Sequence, residues 1–404
     1  MASRDFLFVI INALLYIYVL RKHWKTTHKM DCGFLILTAY CATAIMCVVN
    51  YYINSDRFDL HLLPFVFLFV VLMIFFIPYL KNTDNLANRI LIPNLKILDF
   101  FSYFYIACAI FSVVLSWNDM KAAFEAEEWN DVIGKVFEEG VVLYHSNFER
   151  FCKNICSYTQ VLALIMAFHY YTKNRYRPIM GFMLFVSAIM SMATTTVIAA
   201  SRGAFAGMFI KLLAGFVLFL PLFKHKAKTF LVRGGLAILA IFLIYTISVT
   251  YSRFADITYD TAFDDPTSSL IYYFGHSMLR FNDGLMDSIQ QFMWGDYFLG
   301  IRDGYQYGID AVLGTHCNGA FYTFVGALYL DFGPVFTLLL AFVLSQYLLS
   351  VYEKPVLQIA DIYIYYYFFC FMINGVFVVG RGYYLTILMA FVLYWILKLL
   401  TLKR

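Results

Sequence analysis

Two arginines stand alone where apolar runs of this chain turn back on themselves. Arg202 lies in Thr194-Thr195-Thr196-Val197-Ile198-Ala199-Ala200-Ser201-Arg202-Gly203-Ala204, a turn of little more than Ser-Arg-Gly. Arg381 lies in Gly380-Arg381-Gly382-Tyr383-Tyr384, again with glycines that let a ligand approach the backbone. Arginine stays charged and presents a planar fork of donors, so it can grip two pyrophosphate oxygens at once, where lysine offers a point charge. At a helix end either arginine can instead snorkel to headgroup phosphates. A long segment at about 251–333 adds Arg280 and Arg302 as further cations, and His276 and His316 as groups able to take a proton near neutral pH. Ten aspartates against three arginines give that segment a formal charge of −7. An anion there must be held by specific arginines in a pocket, because the general field repels it.

Other clusters are weaker. Asp264-Asp265 could be an acidic metal pair, but no third ligand occurs at recognisable spacing, and no metal or cofactor is expected. Glu125, Glu127, Glu128, Glu138 and Glu139 read as a solvated helix face. Lys211 sits deep in an apolar run, where an ionisable group is either functional or turned to polar groups within the bundle. Cys41, Cys47, Cys108 and Cys370 lie in apolar runs, and Cys152 and Cys156 are one helical turn apart, so the cysteines read as packing residues. Walker, dinucleotide, HExxH, nucleophile-elbow and CxxC motifs do not occur.

The elements that must position these residues follow from composition. Of 404 residues 62% are hydrophobic and 14% charged, against about 45–50% and 25% in soluble domains. Such a chain needs a bilayer as solvent, which excludes a soluble enzyme, a disordered chain, a disulfide scaffold and a soluble nucleic-acid binder. Apolar runs long enough to cross as helices fall at about 5–20, 33–53, 60–80, 97–117, 155–172, 179–200, 203–223, 232–250, 334–352, 359–379 and 383–399. The expectation is one all-α polytopic bundle over residues 1–404, with about 11 spans and a range of 10–12. The first run ends in Arg21-Lys22-His23-Trp24-Lys25, not in small residues, so it is expected to stay attached. Eighteen Lys and Arg fall on the side of the odd-numbered connections and the C-terminal tail, against eleven on the other. That bias places the C-terminus in the cytoplasm and the N-terminus outside. Two outer loops, 118–154 and 251–333, are too long to be turns. Leu270, Tyr273, Phe274, Ser277, Met278 and Phe281 recur at helical spacing, which suggests a helix on the membrane surface or capping the bundle. No fixed-period repeat appears, and no paired Gly- or Pro-broken spans mark a transporter.

The Ser201-Arg202-Gly203-Ala204 turn, the long outer loop, and Asn318-Gly319-Ala320-Phe321-Tyr322-Thr323-Phe324-Val325-Gly326-Ala327-Leu328-Tyr329-Leu330-Asp331-Phe332-Gly333 before a span resemble the Wzy-type oligosaccharide repeat-unit polymerases of bacterial surface polysaccharides. The related O-antigen ligases share the layout, and both resemble a subgroup of GT-C glycosyltransferases. The resemblance implies a glycosyltransferase of the bacterial inner membrane that joins undecaprenyl-pyrophosphate-linked repeat units, such as those of O-antigen or capsule, on its outer face. Its partners would be those lipid-linked donors and acceptors, membrane lipid and a chain-length regulator protein, with no nucleic acid. It implies Arg202 and Arg381 on the pyrophosphate, Arg280 or Arg302 reaching in from the loop, and His316, with His276 in reserve, as the base. Cys317 separates His316 from Asn318, so His316 matches the ligase pattern only in part. Two other readings are a ligase that transfers the glycan to lipid A–core, and a polytopic transporter or glycolipid flippase. The transporter would need charges along a mid-membrane path, whereas here, Lys211 apart, charges gather at the rim.

Overall fold

The computed structural model describes residues 2–55, 58–81, 86–91, 95–125, 145–172, 178–198, 202–223, 229, 232–235, 237, 240, 244, 271–272, 274–286, 292–299, 322–376 and 383–401. Among these residues the α-helices are α1 (Ala2–Thr27), α2 (Cys32–Ile53), α3 (Leu62–Phe76), α4 (Leu95–Leu115), α5 (Trp117–Glu125), α6 (Asn147–Thr172), α7 (Pro178–Ile198), α8 (Arg202–Phe219), α9 (Ser277–Arg280), α10 (Asp296–Leu299), α11 (Thr323–Tyr352), α12 (Ile359–Asn374) and α13 (Tyr384–Thr401). No strand occurs among the described residues, where the one extended pairing is an isolated bridge between Ile90 and Leu357.

Six described helices are long and apolar enough to cross a membrane: Arg4–Thr27, Cys32–Ile53, Lys96–Leu115, Asn147–Thr172, Pro178–Ile198 and Thr323–Tyr352. Four shorter apolar helices, Leu62–Phe76, Gly207–Leu222, Ile359–Asn374 and Tyr384–Leu400, fall on other expected spans. Most of the expected span at 232–250 lies outside the described residues. Large apolar side chains such as Val335, Phe336, Leu339, Phe342 and Val343 on α11 are exposed, as they are when lipid is the solvent. The chain is thus helical and carries several membrane-spanning candidates.

Two compact units make up the chain: 1–83 with 263–354 and 371–388, and 84–262 with 355–370 and 389–404. In the first, α1 and α2 form an antiparallel hairpin, with Phe6 meeting Tyr51, Tyr16 meeting Tyr40 and Trp24 meeting Phe34 along its length. Asp31 closes the turn: its carboxylate accepts from the Phe34 amide and lies 2.8 Å from His23 Nε2. A side chain at Gly33 would stand 2.7 Å from the Tyr79 carbonyl oxygen and 2.8 Å from the His23 ring, so glycine lets this turn close.

The second unit packs α4, α6, α7 and α8 together. Tyr170 donates to Asp99 at 2.7 Å, and Tyr105 pairs with Ser191 at 3.2 Å. Lys211 on α8 donates to Gln160 on α6, and its carbonyl accepts from Tyr366, so it is turned to polar groups inside the unit. The helices beside the first long connection reach into it: Glu149 on α6 accepts from Ser116, the His145 amide and Lys153, and His145 pairs with Asp119 at 2.8 Å. The hydrogen bond that the exposed His145 imidazole donates to the Asp119 carboxylate raises its pKa from the ordinary histidine value.

The span expected at 334–352 is the second half of a longer helix. At Gly333 the backbone turns to φ 71°, Pro334 follows, and the helix continues. Thr323 to Ala327 and Tyr329 to Asp331 ahead of this break are buried, while much of the stretch after it is exposed apolar surface. Proline has no N–H, so the Leu330 carbonyl loses its helical donor. The Met293 amide replaces it at 2.9 Å, and the Trp294 amide bonds the Asp331 carbonyl at 2.9 Å. The Asp331 carboxylate in turn caps α10, accepting from the Tyr297 amide at 3.0 Å and the Phe298 amide at 2.8 Å. A text read as the end of a loop is therefore a half-helix stitched to residues 293–299. Asp331→Ala strands two amides at this buried junction and is expected to cost about 2–4 kcal/mol, read as denaturant unfolding in detergent; Asp331→Asn should retain part of the loss.

Candidate functional site

The site forms on the segment from residue 271 to Met286, which belongs to the first unit. Its apolar face goes inward. Met278, Leu279 and Phe281 are fully buried, Asn12 on α1 donates to Met278 Sδ at 3.4 Å, and the Phe281 ring lies parallel to Phe67 of α3. A Cβ at Gly275 would stand 2.3 Å from the Met46 carbonyl oxygen, so this glycine lets the backbone press against α2. Met46 is about 10 Å along α2 from its Ile53 end, at 1.5 Å per residue. The segment is set into the end of the α1–α2 hairpin.

Side-chain amide bonding fixes its depth. Asn282 is fully buried and imitates a neighbouring peptide: its Oδ1 accepts from the His61 amide at 2.9 Å, and its Nδ2 donates to the His61 carbonyl at 2.6 Å. The Asp59 amide donates to Asp283 Oδ1 at 3.2 Å. These bonds tie the start of α3 to a π-helical turn, Phe281–Met286, a geometry frequent at functional sites.

Tyr272, His276 and Arg280 recur one every four residues; His276 is buried, and Tyr272 and Arg280 are half-buried. The Arg280 amide bonds the His276 carbonyl at 2.7 Å, which keeps the two in helical register. The Tyr272 and His276 rings stack at 4.8 Å with only 7° between their planes, and Phe58 backs Tyr272 at 6.4 Å. The Arg280 guanidinium reaches back to the Tyr272 hydroxyl and lies 5.6 Å over the Phe58 ring. Asp283 approaches it only to 4.0 Å, the outer limit of an ion pair. A buried imidazole and a partly exposed guanidinium thus recur at helical spacing, a base beside a cation fit for an oxyanion.

The structure brings together His276 and Arg280. Arg202 opens α8, and its side chain is outside the described residues, as are Arg302, His316, Arg381 and the Asp264-Asp265 pair. Glu125 makes an exposed pair with Lys121 at 3.6 Å, in keeping with a solvated face, while Glu127, Glu128, Glu138 and Glu139 lie outside the described residues. Among the described residues no three His, Cys, Asp or Glu side chains gather as a metal site. Cys41, Cys47, Cys108, Cys152, Cys156 and Cys370 are buried free thiols. Tyr272, Phe58 and Asn282 do not emerge from sequence reasoning. The Tyr-His-Arg spacing of four is the signal that finds the first.

Asn282→Leu keeps the volume and removes both bonds to His61, so the unfolding free energy in detergent should fall by about 1–3 kcal/mol. Asn282→Asp, which keeps one acceptor, should fall between. No protein-family model, curated protein or solved structure matches the chain.

Proposed function

We propose that this chain is an integral-membrane glycosyltransferase that polymerises undecaprenyl-pyrophosphate-linked oligosaccharide repeat units on the outer face of the bacterial inner membrane. The observation that carries the reading is the helical spacing of His276 and Arg280, in the long segment that the basic-residue bias assigns to the outside. The several apolar helices supply the lipid-facing surface that a polyprenyl substrate requires.

In this reaction an acceptor sugar hydroxyl attacks the anomeric carbon of the donor glycan. The new C–O bond forms as the bond from that carbon to the pyrophosphate breaks, and undecaprenyl pyrophosphate leaves with the electron pair. His276 takes the hydroxyl proton and later releases it to water. Arg280 stands against the departing phosphates; Arg202, Arg302 and Arg381 as further cations, and His316 as a second candidate base, rest on the sequence resemblance alone. Two apolar chains enter from the bilayer, so charge is needed only where the pyrophosphate departs.

Removing one such donor lowers the rate by roughly a hundredfold or more. Cells carrying Arg280→Ala, Arg202→Ala or Arg381→Ala at normal protein level should show short or absent polymer on a surface-glycan gel, with lipid-linked single units accumulating. His276→Ala should do the same, and His316→Ala tests the competing base. Full-length ladders from both Arg280→Ala and His276→Ala overturn the assignment. Deleting the gene separates the alternatives: single-unit caps are the outcome for a polymerase, bare cores for a ligase and an unchanged glycan for a transporter.

A further inference from the structure

Tyr272 touches both functional groups of this site, each through a different part of itself. Its carbonyl oxygen lies 2.6 Å from His276 Nδ1. Its ring lies flat against the imidazole at 4.8 Å. Its hydroxyl oxygen accepts from Arg280 Nε at 3.3 Å and from Nη2 at 2.9 Å.

Each contact has one physical consequence. A carbonyl can only accept, so the 2.6 Å contact requires the proton on Nδ1, and the neutral ring then carries its basic lone pair on Nε2. Stacking against Tyr272, whose ring also lies 6.4 Å from that of Phe58, restricts rotation of the imidazole. Two N–H bonds from one guanidinium to a single oxygen fix the plane of the fork, and the remaining N–H groups lie in that same plane. The Arg280 guanidinium stands over Phe58 as well, so one aromatic pair organises base and cation.

We propose that Tyr272 is the positioning residue of this site. It selects the tautomer of the buried His276 and orients the partly exposed guanidinium of Arg280, the base and the cation of a transfer from a pyrophosphate leaving group to a hydroxyl nucleophile. The proposal rests on the glycosyl-transfer reading above. A group held in geometry by its neighbours gains rate through preorganisation, and loss of the holder lowers turnover more than binding.

The test uses the full-length protein in lipid nanodiscs, supplied with lipid-linked repeat units extracted from a strain lacking the gene. Tyr272→Phe keeps the ring and the carbonyl but removes the hydroxyl, so kcat should fall about tenfold with KM within about twofold and the melting temperature unchanged. Tyr272→Leu removes the stack as well, and its kcat should fall about a hundredfold. Wild-type kcat in both, while His276→Ala and Arg280→Ala are inactive, overturns the positioning role and leaves the glycosyl-transfer reading standing. A lowered melting temperature with wild-type kcat per folded molecule makes Tyr272 merely structural and overturns the role equally. If all four variants turn over like wild type, the glycosyl-transfer reading falls and the positioning role with it. Should Tyr272→Leu fail to fold, the kcat of Tyr272→Phe decides.

Discussion

A carbonyl stranded by a proline inside an apolar bundle has to find a donor, because hydrocarbon offers none and an unsatisfied polar group costs several kcal/mol, of order the value for transfer out of water. In this protein the donors are the amides of Met293 and Trp294, and their cost of ordering is met by binding residues 293–299 to the broken helix. The Asp331 carboxylate continues the same accounting by satisfying the first amides of α10. One interrupted helix thereby fixes a distant segment of chain whose aromatic residues, Phe292, Tyr297 and Phe298, pack beside the same bonds.

The same constraint governs the face that carries His276 and Arg280. Its buried stripe enters the α1–α2 hairpin, so the exposed backbone of the α3 entry needs partners there, and Asn282 supplies both a donor and an acceptor from one side chain. With the apolar side locked this way, the polar side has little freedom. Tyr272, His276 and Arg280 then behave as one unit rather than as three side chains on a loop.

Much of the helical layout is legible in the sequence because an apolar run of span length has few other solutions in lipid. The ends of those helices are less so. α6 starts at Asn147, well before the apolar run, because Glu149 collects three donors that only the fold assembles. The half-helix before Gly333 is hidden because its aspartate and aromatic residues read as loop, and its stabilising amides come from more than thirty residues away in sequence. At the site, His276 and Arg280 stand out by residue type, whereas Tyr272 sits beside a conspicuous apolar periodicity that masks the polar one. Asn282 leaves no local trace at all, since its partner is the backbone of a residue 221 positions away.

The two halves of α11 also set a level. From Pro334 to Tyr352 the helix rises about 28 Å, close to the thickness of the hydrocarbon layer of roughly 30 Å. If its exposed apolar surface fills that layer, the bend at Gly333 marks the plane where oil gives way to headgroups. Every residue sewn to the bend, from Met293 to Phe298, is then held at that same plane. Any amphiphile whose charge rides at the headgroup level while its tail stays in oil would meet the protein at this height without having to leave the membrane.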